Sequence, residues 1–363
     1  MAVELNNKKN IRAWTFYDWA NSAYSLIITS AIFPAYYTAI VDERIPFFGI
    51  SLNRNALASF SISFSFFLIA LLSPILSSIA DSQGNKKSFM KFFSYLGALA
   101  CMAMFFFQKN ETSNTVNVYF GITCSIIASV GYCGSLVFYN AFLPEIASKD
   151  QQDTISAKGF AMGYIGSVLL MIVCFAFILL NDSQGWHLGA LPVRLSFVAV
   201  GLWWIGFAQI PFSTLPETKR DNKECLIQVC KNGYQELILV WQEVKQLPLL
   251  KKYLLSFFFY NLGVQTVMYM ATFFASAEIK MQSSELMTVV LIIQLVAIAG
   301  AYFFSFISSK FGNLYALMIL VAIWIVICIS AFYVHTVHAF YLLAFCVGMI
   351  MGIQSLGRSS YSN

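Results

Sequence analysis

The chain has 363 residues, of which 59% are hydrophobic and only 11% are charged, and its formal net charge is +5. Soluble globular domains carry about 25% charged residues, so this composition excludes an ordinary soluble domain and indicates a membrane protein. A helix that crosses a bilayer needs about 20 apolar residues, and 18 or more without a charge make a candidate span.

Nine stretches without charged residues follow one another along the chain. The last is too long for a single helix, and His335 and His338 divide it into two. We therefore predict ten membrane-spanning helices. The nine stretches are 19–41, 55–80, 92–108, 112–144, 159–181, 195–216, 253–277, 286–309 and 311–357.

The basic residues predict the orientation of the chain. Residues 1–12 are polar and show no signal-peptide pattern, so we expect the first helix to be retained. With the N-terminus in the cytoplasm, 17 of the 22 Lys and Arg residues fall in cytoplasmic segments, as the positive-inside rule requires. We predict an integral protein of a bacterial inner membrane with a cytoplasmic N-terminus. The positive charge is then a topology signal and does not imply nucleic acid.

A long polar stretch divides the chain into two parts. We predict an N-terminal six-helix bundle over 1–216, a cytoplasmic linker over 217–252, and a C-terminal bundle of four helices over 253–363. Apolar residues from Leu226 to Leu247 recur at helical spacing, which predicts an amphipathic linker helix on the membrane surface.

The two parts are weakly alike, since Phe16-Tyr17-Asp18 in the first helix is echoed by Phe259-Tyr260-Asn261 in the seventh. A six-helix unit repeated in parallel is the plan of major facilitator transporters. We predict an all-α polytopic membrane protein with the major facilitator fold. Ten of the expected twelve helices are in the sequence, and we expect the last two to be missing because the chain is a fragment or a truncated product.

The loop after the second helix carries a further signal. Ser77-x-x-x-Asp81-x-x-Gly84-x-Lys86-Lys87 resembles the loop signature of major facilitator proteins, Gly-x-x-x-Asp-Arg-x-Gly-Arg-Arg, although two of the basic residues are replaced. An aspartate there can pair with a cation or cap a helix and so latch one conformation. The alternative is an ordinary basic turn. The latch and gate candidates are Asp81, Gly84, Lys86, Lys87, Glu145, Lys310 and Arg358.

Seven short motifs resemble the vacuole-effluxer-like family of permeases, which includes fungal autophagy-associated members and many bacterial ones. The resemblance extends over essentially the whole chain, and it implies export or exchange of small solutes, with amino acids in the fungal case. Some members carry an acidic residue after the Tyr-Asn of the seventh helix, where this chain has Leu262. The motifs are YDWANSAY at 17–24, IFPAYY at 32–37, SPIL at 73–76, YNAFLPEI at 139–146, GFAMGYIG at 159–166, FYNLGVQT at 259–266 and GIQSLGRS at 352–359.

Polar residues within the apolar stretches are the candidates for a solute cavity. They cost free energy in hydrocarbon, so they usually face a bundle interior. The alternative is ordinary hydrogen bonding between helices. The first helix contributes four of them at helical spacing on one face. The candidates are Asp18, Asn21, Ser22, Ser25, Tyr24, Asn140, Asn261, Gln265, Gln294 and Gln354.

Asp18 has three interpretations that the sequence leaves open. It is expected about four residues into the first helix, so it can be an interfacial carboxylate favoured by the helix dipole. It can carry a coupling proton, or it can pair with Arg358. On the fifth helix, Gly159-x-x-x-Gly163-x-x-Gly166 predicts close helix packing.

The sequence shows no catalytic constellation, no phosphate-binding loop and no metal cluster, so we predict neither an enzyme nor a cofactor. The first hypothesis is a secondary transporter of a small solute, such as an amino acid, working by alternating access and with proton coupling as an open alternative. The second is a non-transporting membrane receptor or assembly partner on the same scaffold. Both have a small solute and the lipid bilayer as their partners.

Overall fold

The computed structural model describes residues 5–47, 49–83, 85–109, 114–184, 188–216, 238–239 and 241–351. Four sequence-predicted features lie outside these residues: Gly84, Gln354, Arg358 and most of the predicted linker helix. The backbone of Asp81 is among the described residues, but its side chain is not.

Helices make up nearly all of the described residues. Twelve α-helices are named here, and some of them are short segments beside the membrane spans. They are α1 (Lys8–Ala23), α2 (Ile32–Ile40), α3 (Arg54–Gln83), α4 (Lys86–Ala103), α5 (Asn114–Ala141), α6 (Leu143–Ile146), α7 (Lys149–Gln184), α8 (Leu191–Thr214), α9 (Pro248–Ala277), α10 (Ser283–Phe311), α11 (Asn313–Ala331) and α12 (Val337–Ile350).

Eight helical segments within the described residues are long and apolar enough to cross a membrane. The 30-residue helix α9 and the shorter apolar helix α12 coincide with the remaining two predicted spans. The prediction of an all-α polytopic membrane protein is therefore confirmed. The eight segments are Lys8–Ile40, Arg54–Ser77, Lys86–Phe106, Asn117–Ile146, Lys149–Asn181, Leu191–Thr214, Thr288–Phe311 and Asn313–Ala331.

The first span begins earlier than the apolar pattern predicts. Asn7 caps α1, since its side-chain oxygen accepts a hydrogen bond from the backbone N–H of Lys9 at 2.9 Å. Asp18 is thus ten residues beyond Lys8, or about 15 Å along the helix axis. The expected position of Asp18 four residues into the helix is wrong, because a polar cap and not the apolar run starts the helix.

A π-helical segment, Tyr24–Ala31, joins α1 to α2. The backbone N–H of Ile32 donates to the carbonyl of Ile27, five residues back, and the Ser30 hydroxyl donates to the carbonyl of Ser25 at 3.0 Å. Pro34 lacks the N–H that would bond the Ser30 carbonyl in a regular α-helix. The wider turn changes which residues of α2 share a face with α1.

A short β-hairpin follows the first span. Its strands β1 (Arg44–Phe47) and β2 (Ile50–Asn53) are antiparallel, with Arg44 opposite Asn53 and Phe47 opposite Ile50. In the predicted orientation this segment is an outer loop, and the strands are too short for the alternation of residues to indicate them.

Backbone contacts divide the chain into two compact units. The first contains residues 1–71 and 87–216, and α1 packs there against α7 and α8. The second contains residues 72–86 and 217–363, and α10 packs there against α11 and α12. The predicted bounds of the two bundles and the linker stay predictions.

Candidate functional site

The candidate site lies in the first unit, along the buried side of α1. Trp14, Tyr17 and Ala20 have no exposed surface there, and Asp18 is 3% exposed. A carboxylate this far from water requires hydrogen-bond donors around it. Asp18 is therefore the residue around which the candidate site is arranged.

Tyr139 of α5 donates a hydrogen bond to Asp18. Its hydroxyl lies 2.7 Å from Oδ2 of Asp18. The Tyr139 ring stacks on the Trp14 ring with centroids 4.4 Å apart, and Trp14 Nε1 donates to the backbone carbonyl of Tyr139 at 3.0 Å. Trp14 therefore contacts both the ring face and the backbone carbonyl of Tyr139. These contacts fix the position of the Tyr139 hydroxyl against the Asp18 carboxylate.

The glycine stripe of α7 lies against the same part of α1. A Cβ atom on Gly159 would lie 2.5 Å from Oδ2 of Asp18, and one on Gly166 would lie 2.8 Å from the Trp19 ring. A Cβ atom on Gly163 would overlap Oγ of Ser22. The predicted close packing of this stripe is confirmed, and Asp18, Trp19 and Ser22 are among the residues on which it packs.

Two hydroxyl pairs tie the first span to the neighbouring helices. The Tyr17 hydroxyl lies 2.6 Å from Oγ of Ser94 on α4, and the Tyr24 hydroxyl lies 2.8 Å from Oγ of Ser129 on α5. The Tyr24 ring also contacts Trp204 of α8, with centroids 5.7 Å apart. These pairs satisfy polar groups that are buried within an apolar bundle.

Asn21 has a donor that is not used. The residue is 1% exposed, and within the described part of the chain its Nδ2 has no hydrogen-bond partner. Its Oδ1 is 3.5 Å from the Ser22 hydroxyl, and Ser25 is half-buried one turn further along. A buried amide with a free donor requires an explanation, and a bound water or solute polar group would supply one.

The other predicted cavity residues are not gathered at Asp18. Asn140 is exposed on α5, whereas its neighbour Tyr139 reaches the carboxylate. Asn261 and Gln265 are half-buried on α9 in the second unit. Gln294 of α10 is also half-buried, and among the described residues its Oε1 accepts no hydrogen bond. The role of each in solute binding stays a prediction.

Sequence reasoning missed Tyr139, Ser94 and Ser129. One signal was available for the α5 side: Tyr132 and Tyr139 recur seven residues apart, which places them on one face of a helix. Tyr132 contacts the Tyr24 ring with centroids 5.0 Å apart, so this face does pack on the first span. The serines carry no comparable pattern.

The described latch candidates differ from one another in burial and in the groups they contact. Lys87 is 8% exposed, and its Nζ donates to the carbonyl of Leu215 at 2.9 Å. Leu215 directly follows α8 as its C-cap residue, so Lys87 satisfies a carbonyl at a helix C-terminus. Lys86 and Glu145 are half-buried, and exposed Lys310 lies over the Phe311 ring at 5.5 Å. Their role in gating stays a prediction.

Comparison with known proteins assigns the chain to a family and a fold. The family model described as "Vacuole effluxer Atg22 like" matches residues 6–363. The uncharacterized MFS-type transporter YxiO of Bacillus subtilis is 31% identical over 366 residues, covering 98% of this chain and 80% of that protein. Autophagy-related protein 22-1 of Aspergillus terreus is 23% identical over 341 residues, and the match covers 72% of this chain but about half, 54%, of that protein.

A solved structure of a major facilitator proton:xylose symporter, XylE, has a TM-score of 0.62 at 13% identity and covers 98% of this chain and 81% of that one. At this identity the likeness establishes the fold alone, and the predicted major facilitator fold is confirmed. Because the family model matches nearly every residue, the chain belongs to the vacuole effluxer Atg22-like family, as its sequence motifs predicted.

Proposed function

We propose that the chain is a secondary active transporter that moves a small solute across the membrane by alternating access. The family membership and the major facilitator fold support this function class. In such proteins a central site is opened to one side of the membrane and then to the other. We propose export or exchange because the family model describes an effluxer. Among small solutes we propose amino acids, which the resemblance to the fungal members implies.

The buried carboxylate of Asp18 is the single observation that carries the proposal for this chain. A charged side chain within a membrane helix costs at least about 2.5–3.5 kcal/mol at the helix centre, and such residues usually mark substrate or ion pathways. Asp18 is 3% exposed and about 15 Å into its helix. If Asp18 had only a structural role, an asparagine could fill it at a lower free-energy cost of burial.

We propose that Asp18 carries the coupling proton and that the free donor of Asn21, one turn away, contacts the solute. The Tyr139 hydroxyl donates to Oδ2 of Asp18, so a proton that binds this oxygen would change the hydrogen bond between α1 and α5. Protonation would weaken that bond and loosen α1 from α5. Proton uptake would thereby be linked to a change in helix packing, as alternating access requires.

Flux measurements on the purified chain in proteoliposomes test this function. A panel of radiolabelled amino acids is supplied on one side, with and without a pH gradient. We expect gradient-driven flux for at least one of them, and at least about tenfold slower flux for Asp18→Asn, which corresponds to about 1.4 kcal/mol in the barrier. Asp150→Asn is the matched control, because Asp150 is exposed at the start of α7.

Three outcomes distinguish the alternatives. Absence of flux across the panel would contradict the transporter assignment, and solute binding without flux would favour a receptor on the same scaffold. Flux that keeps its dependence on pH in Asp18→Asn would reject the proton role of Asp18 and leave transport intact.

A further inference from the structure

A cavity of about 390 Å³ lies where the start of α1 meets the end of α8, away from Asp18. Three cationic side chains line it: Lys8, Lys9 and Arg12. Neither the candidate solute site nor the latch candidates include any of them. Both helices belong to the first unit, so the cavity is formed within one compact body.

The three cations have no ion-pair partner among the described residues. Lys8, Lys9 and Arg12 are all exposed, and the recorded side-chain contact of Arg12 is with the Phe16 ring, 5.8 Å from the guanidinium carbon. They fall within the first two turns of α1, so their charges add to the positive end of the helix dipole. An anion placed in the cavity would meet three positive charges that no described carboxylate neutralises.

The remainder of the cavity wall is mainly apolar. It consists of Ala13 and Phe16 on α1, and of Ile210 and Thr214 on α8. Ile210 is 39% exposed. The segment Lys8–Ile40, which begins with α1, and the helix α8 are each long and apolar enough to cross a membrane. Phe16 is eight residues beyond Lys8, or about 12 Å deeper along the helix axis. The cavity is thus cationic at the membrane boundary and apolar on the hydrocarbon side.

We infer that this cavity binds an anionic phospholipid, with the phosphate among Lys8, Lys9 and Arg12 and an acyl chain along Phe16 and Ile210. Basic residues whose only role is to set the orientation of the chain in the membrane need neither a cavity nor an adjoining apolar wall. A soluble phosphate would use the cations but gain nothing from the apolar wall. Clusters of Lys and Arg next to a span are attracted to anionic lipids by about 1 kcal/mol per residue.

Native mass spectrometry of the full chain tests this inference. The chain is released from nanodiscs that contain equal amounts of phosphatidylglycerol and phosphatidylcholine. We expect retained lipid to be mainly phosphatidylglycerol. The triple variant Lys8→Gln, Lys9→Gln, Arg12→Gln should lower its retention at least about tenfold, because each removed cation weakens binding about fivefold.

Two further variants separate a built site from diffuse surface charge. The control is a second triple variant, Lys245→Gln, Lys251→Gln, Lys252→Gln. It removes the same charge from exposed positions outside the cavity and should retain the lipid. Thr214→Trp fills the cavity and keeps all three cations, so it should lose the lipid although the net charge is unchanged. The melting temperature of each variant in detergent verifies that it folds.

The inference is overturned if the first triple variant keeps its phosphatidylglycerol, or if both triple variants lose it equally. It is also overturned if Thr214→Trp, once shown to fold, retains the lipid. Displacement of the lipid by equimolar glycerol phosphate would identify a site for soluble anions instead. None of these results depends on transport activity, so failure here leaves the proposed function untouched.

Discussion

Tyr139 on α5 donates a hydrogen bond to Oδ2 of Asp18 on α1 over 2.7 Å, although the two residues are 121 positions apart in the chain. Trp14 holds the tyrosine ring from one side and Gly159 of α7 leaves room for the carboxylate on the other. Three helices therefore meet at one buried carboxylate. The stability of the first unit should depend on each part of this arrangement.

Removal of the Tyr139 hydroxyl should destabilise the protein through Asp18. In Tyr139→Phe the carboxylate loses a donor while it stays buried, and a hydrogen bond to a charged group contributes about 1.5–3 kcal/mol. The free energy of unfolding in mixed detergent micelles measures this loss. Tyr95→Phe is the control, because the Tyr95 hydroxyl pairs with Gln209 at an exposed position. A loss near the membrane average of about 0.6 kcal/mol would show that this bond contributes no more than an ordinary hydrogen bond between membrane helices.

A methyl group on Gly159 should separate α7 from α1. The Cβ atom of Gly159→Ala would lie 2.5 Å from Oδ2 of Asp18 and 3.1 Å from the Trp14 ring. Such overpacking costs about 1–3 kcal/mol. Gly206→Ala on α8 is the matched control, since its Cβ would meet no atom within 4 Å. It should leave stability unchanged or raise it by up to about 1 kcal/mol through helix propensity. Equal effects of the two substitutions on the unfolding free energy would contradict this packing.

Lys87 should stabilise the end of α8. Lys87→Met keeps the length of the side chain but removes the charged donor to the Leu215 carbonyl at 2.9 Å. We expect a loss of about 1.5–3 kcal/mol in the free energy of unfolding. Exposed Lys158→Met should change stability by less than about 0.5 kcal/mol. Slower transport with unchanged stability would assign Lys87 to the predicted latch and not to this cap.

Asn6 should fasten the start of the chain to the segment after α6. Its side chain bonds the Ser148 hydroxyl at 2.9 Å and the Ser148 backbone N–H at 3.0 Å, and its backbone has φ 63°. Asn6→Ala loses both bonds and adds strain, because Ala is disfavoured at positive φ by about 1–2 kcal/mol. Asn6→Gly loses the bonds without the strain. Thermal unfolding should rank wild type above Asn6→Gly, and Asn6→Gly above Asn6→Ala; the reverse order of the variants would reject the left-handed backbone.

Hydrophobicity and charge predicted the helices of this chain well, because each span must satisfy its backbone within itself and bury about 20 apolar residues. Boundaries were less predictable. The cap at Asn7 and the hairpin at 44–53 depend on local hydrogen bonds that leave little trace in hydropathy. The π-helical segment before Pro34 was not predicted either, because a run of apolar residues does not distinguish a π-helix from an α-helix.

The amino-acid sequence by itself determined that this is a helical membrane protein with the motifs of its family, and that Asp18 and the α7 glycines lie within apolar helices. Only the tertiary structure decided what those residues meet. Asp18 pairs with Tyr139 and not with its neighbour Asn140, because helix rotation turns one of two adjacent residues inward. Hydropathy constrains each helix singly, whereas a hydrogen bond between residues 121 positions apart depends on how the helices pack.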